Sequence, residues 1–153
     1  MGDDIAAGLS NPDNNKVKTF ADGTKGFKTN LLTGGKTLTL SYNAAAAETV
    51  KLRMYLSIKT SNNNSTGFWK HNGSEKMRIT VNGVQLTPPA EDLNFKNLGC
   101  TVDDASAADN GKLAVPVWAD IANIDLQEGA NSIVFTVIDT NYSFFICGVA
   151  LSR

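Results

Sequence analysis

Trp69 stands in the stretch Thr60–Ser74 (TSNNNSTGFWKHNGS), where almost every other residue is small and polar. Phe68, Lys70, His71 and Asn72 surround it, and Asn62–Asn64 precede it. An indole offers a flat apolar face to the C–H side of a pyranose, while amides or an ammonium group satisfy the sugar's hydroxyls. Two orientations are open to Trp69: outward, as such a platform, or folded back onto the edge of the core. Tyr142, beside Asn141 and close to Asp139, is a second ring in a polar stretch. Trp118 is a third, in the strand-like VPVWAD, where it reads as core or sheet-surface packing or as a second platform. Lys51, Arg53 and Tyr55 alternate along one strand face and read as a solvated stripe or as a shallow site on a sheet.

Catalytic chemistry finds little support. His71 is the only histidine, and no thiol-enzyme signature surrounds Cys100, its one partner on paper. Two cysteines, Cys100 and Cys147, and one histidine give no zinc-ligand spacing. Asp103-Asp104 and Asp109-Asn110 carry oxygen donors suited to calcium, but not at EF-hand spacing. There is no glycine-rich phosphate loop. The chain is expected to bind rather than to catalyse. Cys100 and Cys147 read as two buried thiols or, in an oxidising compartment, as a disulfide.

The elements that must position these rings are strands. Thr49–Lys59 (TVKLRMYLSIK) places Val50, Leu52, Met54, Leu56 and Ile58 on one face and polar residues on the other, the period of a strand with one face buried and one solvated. Lys36–Tyr42 alternates in the same way, and Phe27–Leu32 is a shorter strand. Asn43–Glu48 is a connection. Glu75–Val81 leads into Asn82-Gly83, a two-residue hairpin signal because both residues tolerate positive φ. Lys112–Asp125 is strand-like, with Pro116 marking an edge strand or a bulge. Leu126–Arg153 supplies two more strands, the last with Phe145, Cys147, Val149 and Leu151 in period two. A terminal strand this apolar must lie inside a sheet. Short strands separated by turn residues, with no helical period, predict an all-β fold: a two-sheet antiparallel β-sandwich, or jelly roll.

With 153 residues and a net charge of −1, the chain is expected to form one principal domain, residues 25–153. Residues 1–24 are read as a linker or loose arm with a possible edge strand near Val17 and Phe20. Neither sign of charge runs long enough to favour nucleic acid or an anionic membrane surface. No apolar run reaches the roughly 20 residues of a membrane span. Met1-Gly2 reads as a start placed on a segment of a longer protein, without a signal peptide.

If successive strands run antiparallel, alternate connections share an end. Thr60–Ser74, Pro88–Gly111 and Asp139–Ser143 then gather at one pole, and Asn82-Gly83 and Glu128-Gly129 at the other. Loops on a rigid scaffold are where binding residues concentrate.

From Gly26 onward the order of features resembles the carbohydrate-binding modules of families six and thirty-five, which have the galactose-binding-like jelly roll. The matching pieces are GGKTLTLSYN, ETVKLRMYLS, KMRITVNG, VPVWADIANIDLQEGANSIVFTV and FFICGVALS. The most specific are the VNG hairpin and the L-x-E-G-x-N-x-I turn. The last strand departs from these families, with Phe144, Phe145 and Cys147 where they often carry an Asn and an Asp. The resemblance implies a non-catalytic module that binds a polysaccharide or oligosaccharide, linked covalently to a catalytic domain and located outside the cell. It also implies one structural calcium ion, for which Asp22 and Asp139 are the candidate ligands. The expected ligand set is Trp69, Phe68, Lys70, His71, Asn72, Trp118, Asn141 and Tyr142. The alternative is a structural or adhesive β-sandwich of a bacterial surface protein that binds a protein partner.

Overall fold

The computed structural model describes residues 4–6, 8–10, 17–19, 25–28, 37–58, 67–69, 76–89, 93–95, 97–98, 116–138 and 144–153. In chain order its strands are β1 (Asp4–Ala6), β2 (Gly8–Ser10), β3 (Val17–Thr19), β4 (Lys25–Lys28), β5 (Thr37–Ala44), β6 (Glu48–Ile58), β7 (Gly67–Trp69), β8 (Met77–Val81), β9 (Val84–Gln85), β10 (Leu93–Asn94), β11 (Val117–Leu126), β12 (Gly129–Val137) and β13 (Phe144–Ser152). No helix occurs among the described residues.

Two sheets enclose the core. One runs β11-β6-β13-β4-β3, with β1 also paired to β13; the other runs β2-β5-β12-β8-β9. The C-terminal strand is internal, as its apolar sequence requires. β6 takes one edge of it, while β4 and β1 pair along the other. Between the sheets Leu52, Met54 and Leu56 meet Leu40, Ile133 and Phe135, all buried. Each such side chain contributes roughly 1.5–3 kcal/mol through removal from water. On β6 burial alternates from Val50 to Leu56, so Lys51, Arg53 and Tyr55 lie on the outer face while their neighbours fill the core, and Ser57 beyond them is buried.

Three short strands within residues 1–24 add to the sheets, and the last of them coincides with the edge strand expected near Val17. β1 pairs with β13, β2 with β5, and β3 with β4. Main-chain groups at the open edges of β13 and β5 need partners, and backbone pairing supplies them. One large apolar residue per strand (Ile5, Leu9 and Val17) makes no period, which concealed the first two of these strands.

Bulges re-phase two strands. Ile146 is opposite Leu56 and Gly148 opposite Tyr55, so Cys147 is the extra residue. Period two had placed Phe145, Cys147, Val149 and Leu151 on one face. Instead Phe144, Ile146, Val149 and Leu151 join the core, and Phe145 is buried separately beside Cys147. A bulge adds one residue and swaps every later side chain to the other face. In β11 the register shifts between Asp120 and Ala122. β11 is an edge strand, preceded by Pro116, in keeping with the position of that proline.

The poles follow chain parity. β7 pairs with β10, which brings together the described parts of the stretches Thr60–Ser74 and Pro88–Gly111, while Asp139–Ser143 lies outside the described residues. At the opposite pole the Asn82 amide N–H donates to the Ser132 carbonyl (2.8 Å), joining the hairpin to the start of β12.

Candidate functional site

Trp69 is a core residue, 1% exposed. Its backbone pairs with Leu93, and the indole packs into the same cluster as Phe95 and Phe144. Phe95 and Phe144 lie 5.9 Å apart, tilted at 52°. The expected outward platform at Trp69 is thus corrected: the apolar end of the core offers the ring more burial than the polar loop could. Phe68 is in β7. Lys70, His71, Asn72, Asn141 and Tyr142 lie outside the described residues, as do Asp22, Asp139 and Cys100. Cys147 is half-buried and not disulfide-bonded.

The structure places Trp118 on the outer face of the β11–β6–β13 sheet, 46% exposed. Ala119 next to it is buried and Val117 half-buried, the alternation of a strand with one face in the core. Trp118 is the register partner of Tyr55. Their rings stack with centroids 5.0 Å apart and planes 24° apart. The Arg53 guanidinium carbon sits 5.2 Å from the centroid of the indole ring, within cation–π range.

Asp120, two residues along β11, fixes that guanidinium. Arg53 Nε donates to Asp120 Oδ1 (3.1 Å) and Lys51 Nζ donates to Asp120 Oδ2 (2.9 Å). The hydrogen bond from Lys51 holds the Asp120 carboxyl below the ordinary aspartate range, with Arg53 adding to the effect and partial burial opposing it. Further along the face Thr49 Oγ1 donates to Asp125 Oδ1 (2.6 Å). The outcome is an aromatic pair bordered by a clamped guanidinium, with an ammonium and one carboxylate, Asp120, beside it. Stacking and directional hydrogen bonding are both available on this face.

Sequence reasoning singled out Trp118 and, separately, the Lys51–Arg53–Tyr55 stripe. It did not single out Asp120 or Gly148. A Cβ built at Gly148 would lie 3.5 Å from Tyr55 Cβ and 3.8 Å from Trp118 Cη2. The one signal available was a glycine inside an apolar strand, which marks a bulge or a close approach.

At the other pole, asparagines serve the fold. Asn131, 4% exposed, donates from Nδ2 to the carbonyls of Gln127 (2.8 Å) and Gly129 (2.9 Å). Its Oδ1 accepts from the Gln127 amide N–H and from Asn82 Nδ2, both at 2.9 Å. Asn82 Oδ1 accepts from the Ser132 amide N–H (2.8 Å). Asn82 and Gly83 hold φ of 50° and 82°, and Gly129 holds 88°. A shallow hollow of about 430 Å³ at this pole, lined by Val84, Leu86, Asp125 and Gln127 among others, has no aromatic ring among the described residues that line it.

Two facing antiparallel sheets built around an internal C-terminal strand define the class: a β-sandwich jelly roll. No protein-family model matches the chain, and no curated protein does. Among solved structures, the chain is similar to a family 35 carbohydrate-binding module from an environmental isolate, with 17% identity over 100% of this chain and 88% of that one (TM-score 0.52). A family 35 module from Clostridium thermocellum is 16% identical over 98% of this chain and 92% of that one (TM-score 0.43). A Podospora anserina β-(1,4)-mannanase bearing a family 35 module is 12% identical over 99% of this chain and 26% of that one (TM-score 0.46). The fold expected from the sequence resemblance is therefore the fold found, resting on the first of these likenesses.

Proposed function

We propose that this chain is a non-catalytic carbohydrate-binding module and that the outer face around Trp118 is its binding surface. The observation that carries the reading is the half-exposed indole of Trp118, braced by Tyr55 and flanked by polar groups at fixed distances. A ring held in place before the ligand arrives has little freedom left to lose, which favours binding. The charges beside the rings are paired: Lys51 and Arg53 both bind Asp120. That pairing suits a neutral pyranose polymer. Affinity is modest, because few stacked rings must offset the entropy of association.

Attachment to a catalytic domain and an extracellular location belong to the same proposal. So does a structural calcium ion held by Asp22 and Asp139. Among the described residues no group of three Asp, Glu, His or Cys side chains could hold a metal, and the saccharide site does not depend on one. A shift in Tm on adding a chelator tests the ion.

Affinity electrophoresis in gels containing soluble polysaccharides tests the binding. The expected result is retardation by at least one neutral polysaccharide, with affinity lowered about tenfold or more in Trp118→Ala while that variant stays folded. Full retardation of the Trp118→Ala variant would move the site elsewhere. Failure of every polysaccharide on a folded protein would favour the adhesive sandwich domain that binds protein.

A further inference from the structure

Trp118 and Gly148 are on strands that do not touch. β6 lies between them, and Tyr55 is opposite both. With strands about 4.8 Å apart, the two backbones are separated by about 10 Å. Yet Trp118 Cη2 comes within 3.8 Å of the point where a side chain at Gly148 would begin. The indole must therefore extend across β6, past Tyr55, with its far end over Gly148. A residue with a branched side chain there would occupy the space that the ring end now uses.

Glycine is an unfavourable choice for the interior of a strand, where β-branched residues pack better. Gly148 also has no positive φ among those recorded for the described residues, so backbone conformation does not explain it. The bulge at Cys147 does place it: with regular pairing of this sequence, Cys147 would face Tyr55 instead.

From this geometry we infer that Gly148, brought into register by the Cys147 bulge, is the positioning residue of the Trp118 platform. It leaves a notch that lets the indole lie across the sheet against Tyr55. As a statement about binding this rests on the proposed carbohydrate reading; as a statement about ring geometry it does not. Ala at position 148 puts its methyl group at ordinary contact distance and is accommodated. Val puts methyl groups into the ring end and displaces the indole.

Iodide quenching of tryptophan fluorescence tests this directly. Trp69 is buried, so quenching reports Trp118. Gly148→Val should raise the quenching constant roughly twofold as the half-exposed ring swings free, while Gly148→Ala stays close to the wild type. On the polysaccharide that most retards the wild type, Gly148→Val should lose about tenfold in affinity and Gly148→Ala should retain it. If Gly148→Val quenches like the wild type, the inference is overturned, whatever the binding result. If quenching rises but no polysaccharide binds even the wild type, Gly148 keeps its role and the carbohydrate reading falls. Should Gly148→Val fail to fold, it is combined with Trp118→Ala. A double variant as stable as Trp118→Ala alone supports a clash with the indole, and a double variant that still fails to fold overturns it.

Discussion

Trp118 and Tyr55 are cross-strand partners whose rings stack 5.0 Å apart on the solvent side of a sheet. The other tryptophan, Trp69, is sealed in the core. The two indoles therefore do different work, and substitution should separate them. Trp69→Ala should cost about 3–5 kcal/mol, as expected for a large ring removed from a packed interior. Trp118→Ala should cost only about 0.5–1.5 kcal/mol, the worth of an aromatic pair. Urea unfolding of both variants checks this, and equal losses would contradict the burial described above.

Asp120 predicts an acid dependence with a definite sign. Its carboxyl is held below its ordinary value by Lys51 first and Arg53 second. A depressed carboxylate stabilises the fold above its unfolded-state pKa of about 4, and that contribution is lost as pH falls through the lower folded-state value. The side chain is 56% exposed, so solvent screening keeps the contribution under about 1 kcal/mol. Asp120→Asn should lower stability slightly at neutral pH and by less at pH 2, measured by urea unfolding across that range. A difference that grows as pH falls would contradict the assignment.

Asn131 satisfies four hydrogen bonds from one buried amide. Asn131→Ala should cost about 2–4 kcal/mol, because the polar groups of the turn lose their partners away from water. Since this turn follows the end of β11 away from Trp118, polysaccharide retardation per folded molecule should be unchanged. Thermal unfolding and affinity electrophoresis of the same variant measure both.

Much of the scaffold could be read in the sequence because it depends on period and turn chemistry. The alternation of β6, the Asn82-Gly83 hairpin and the apolar last strand each state their local structure, and parity assigned the poles. The site was harder. Trp69 in a polar loop and Trp118 in a strand look alike as letters, and only packing decides which ring is covered. Asp120 gained meaning through its partners Lys51 and Arg53, and Gly148 through Tyr55 and Trp118. Those pairings depend on register, and the bulges in β11 and β13 shift register where no period can be read. In the arm only the edge strand near Val17 was legible, for a simpler reason: strands that add themselves by main-chain pairing need no apolar period.

The pairing of Asp4 with Ser152 leaves the first and last strands ending one strand spacing apart, about 5 Å. A short glycine linker would join them into a closed ring. The exposed Ala45–Ala47 bend is then a natural place to cut new termini. The sandwich is thus suited to circular permutation, and to insertion into a surface loop of a host protein, with Trp118 still facing outward.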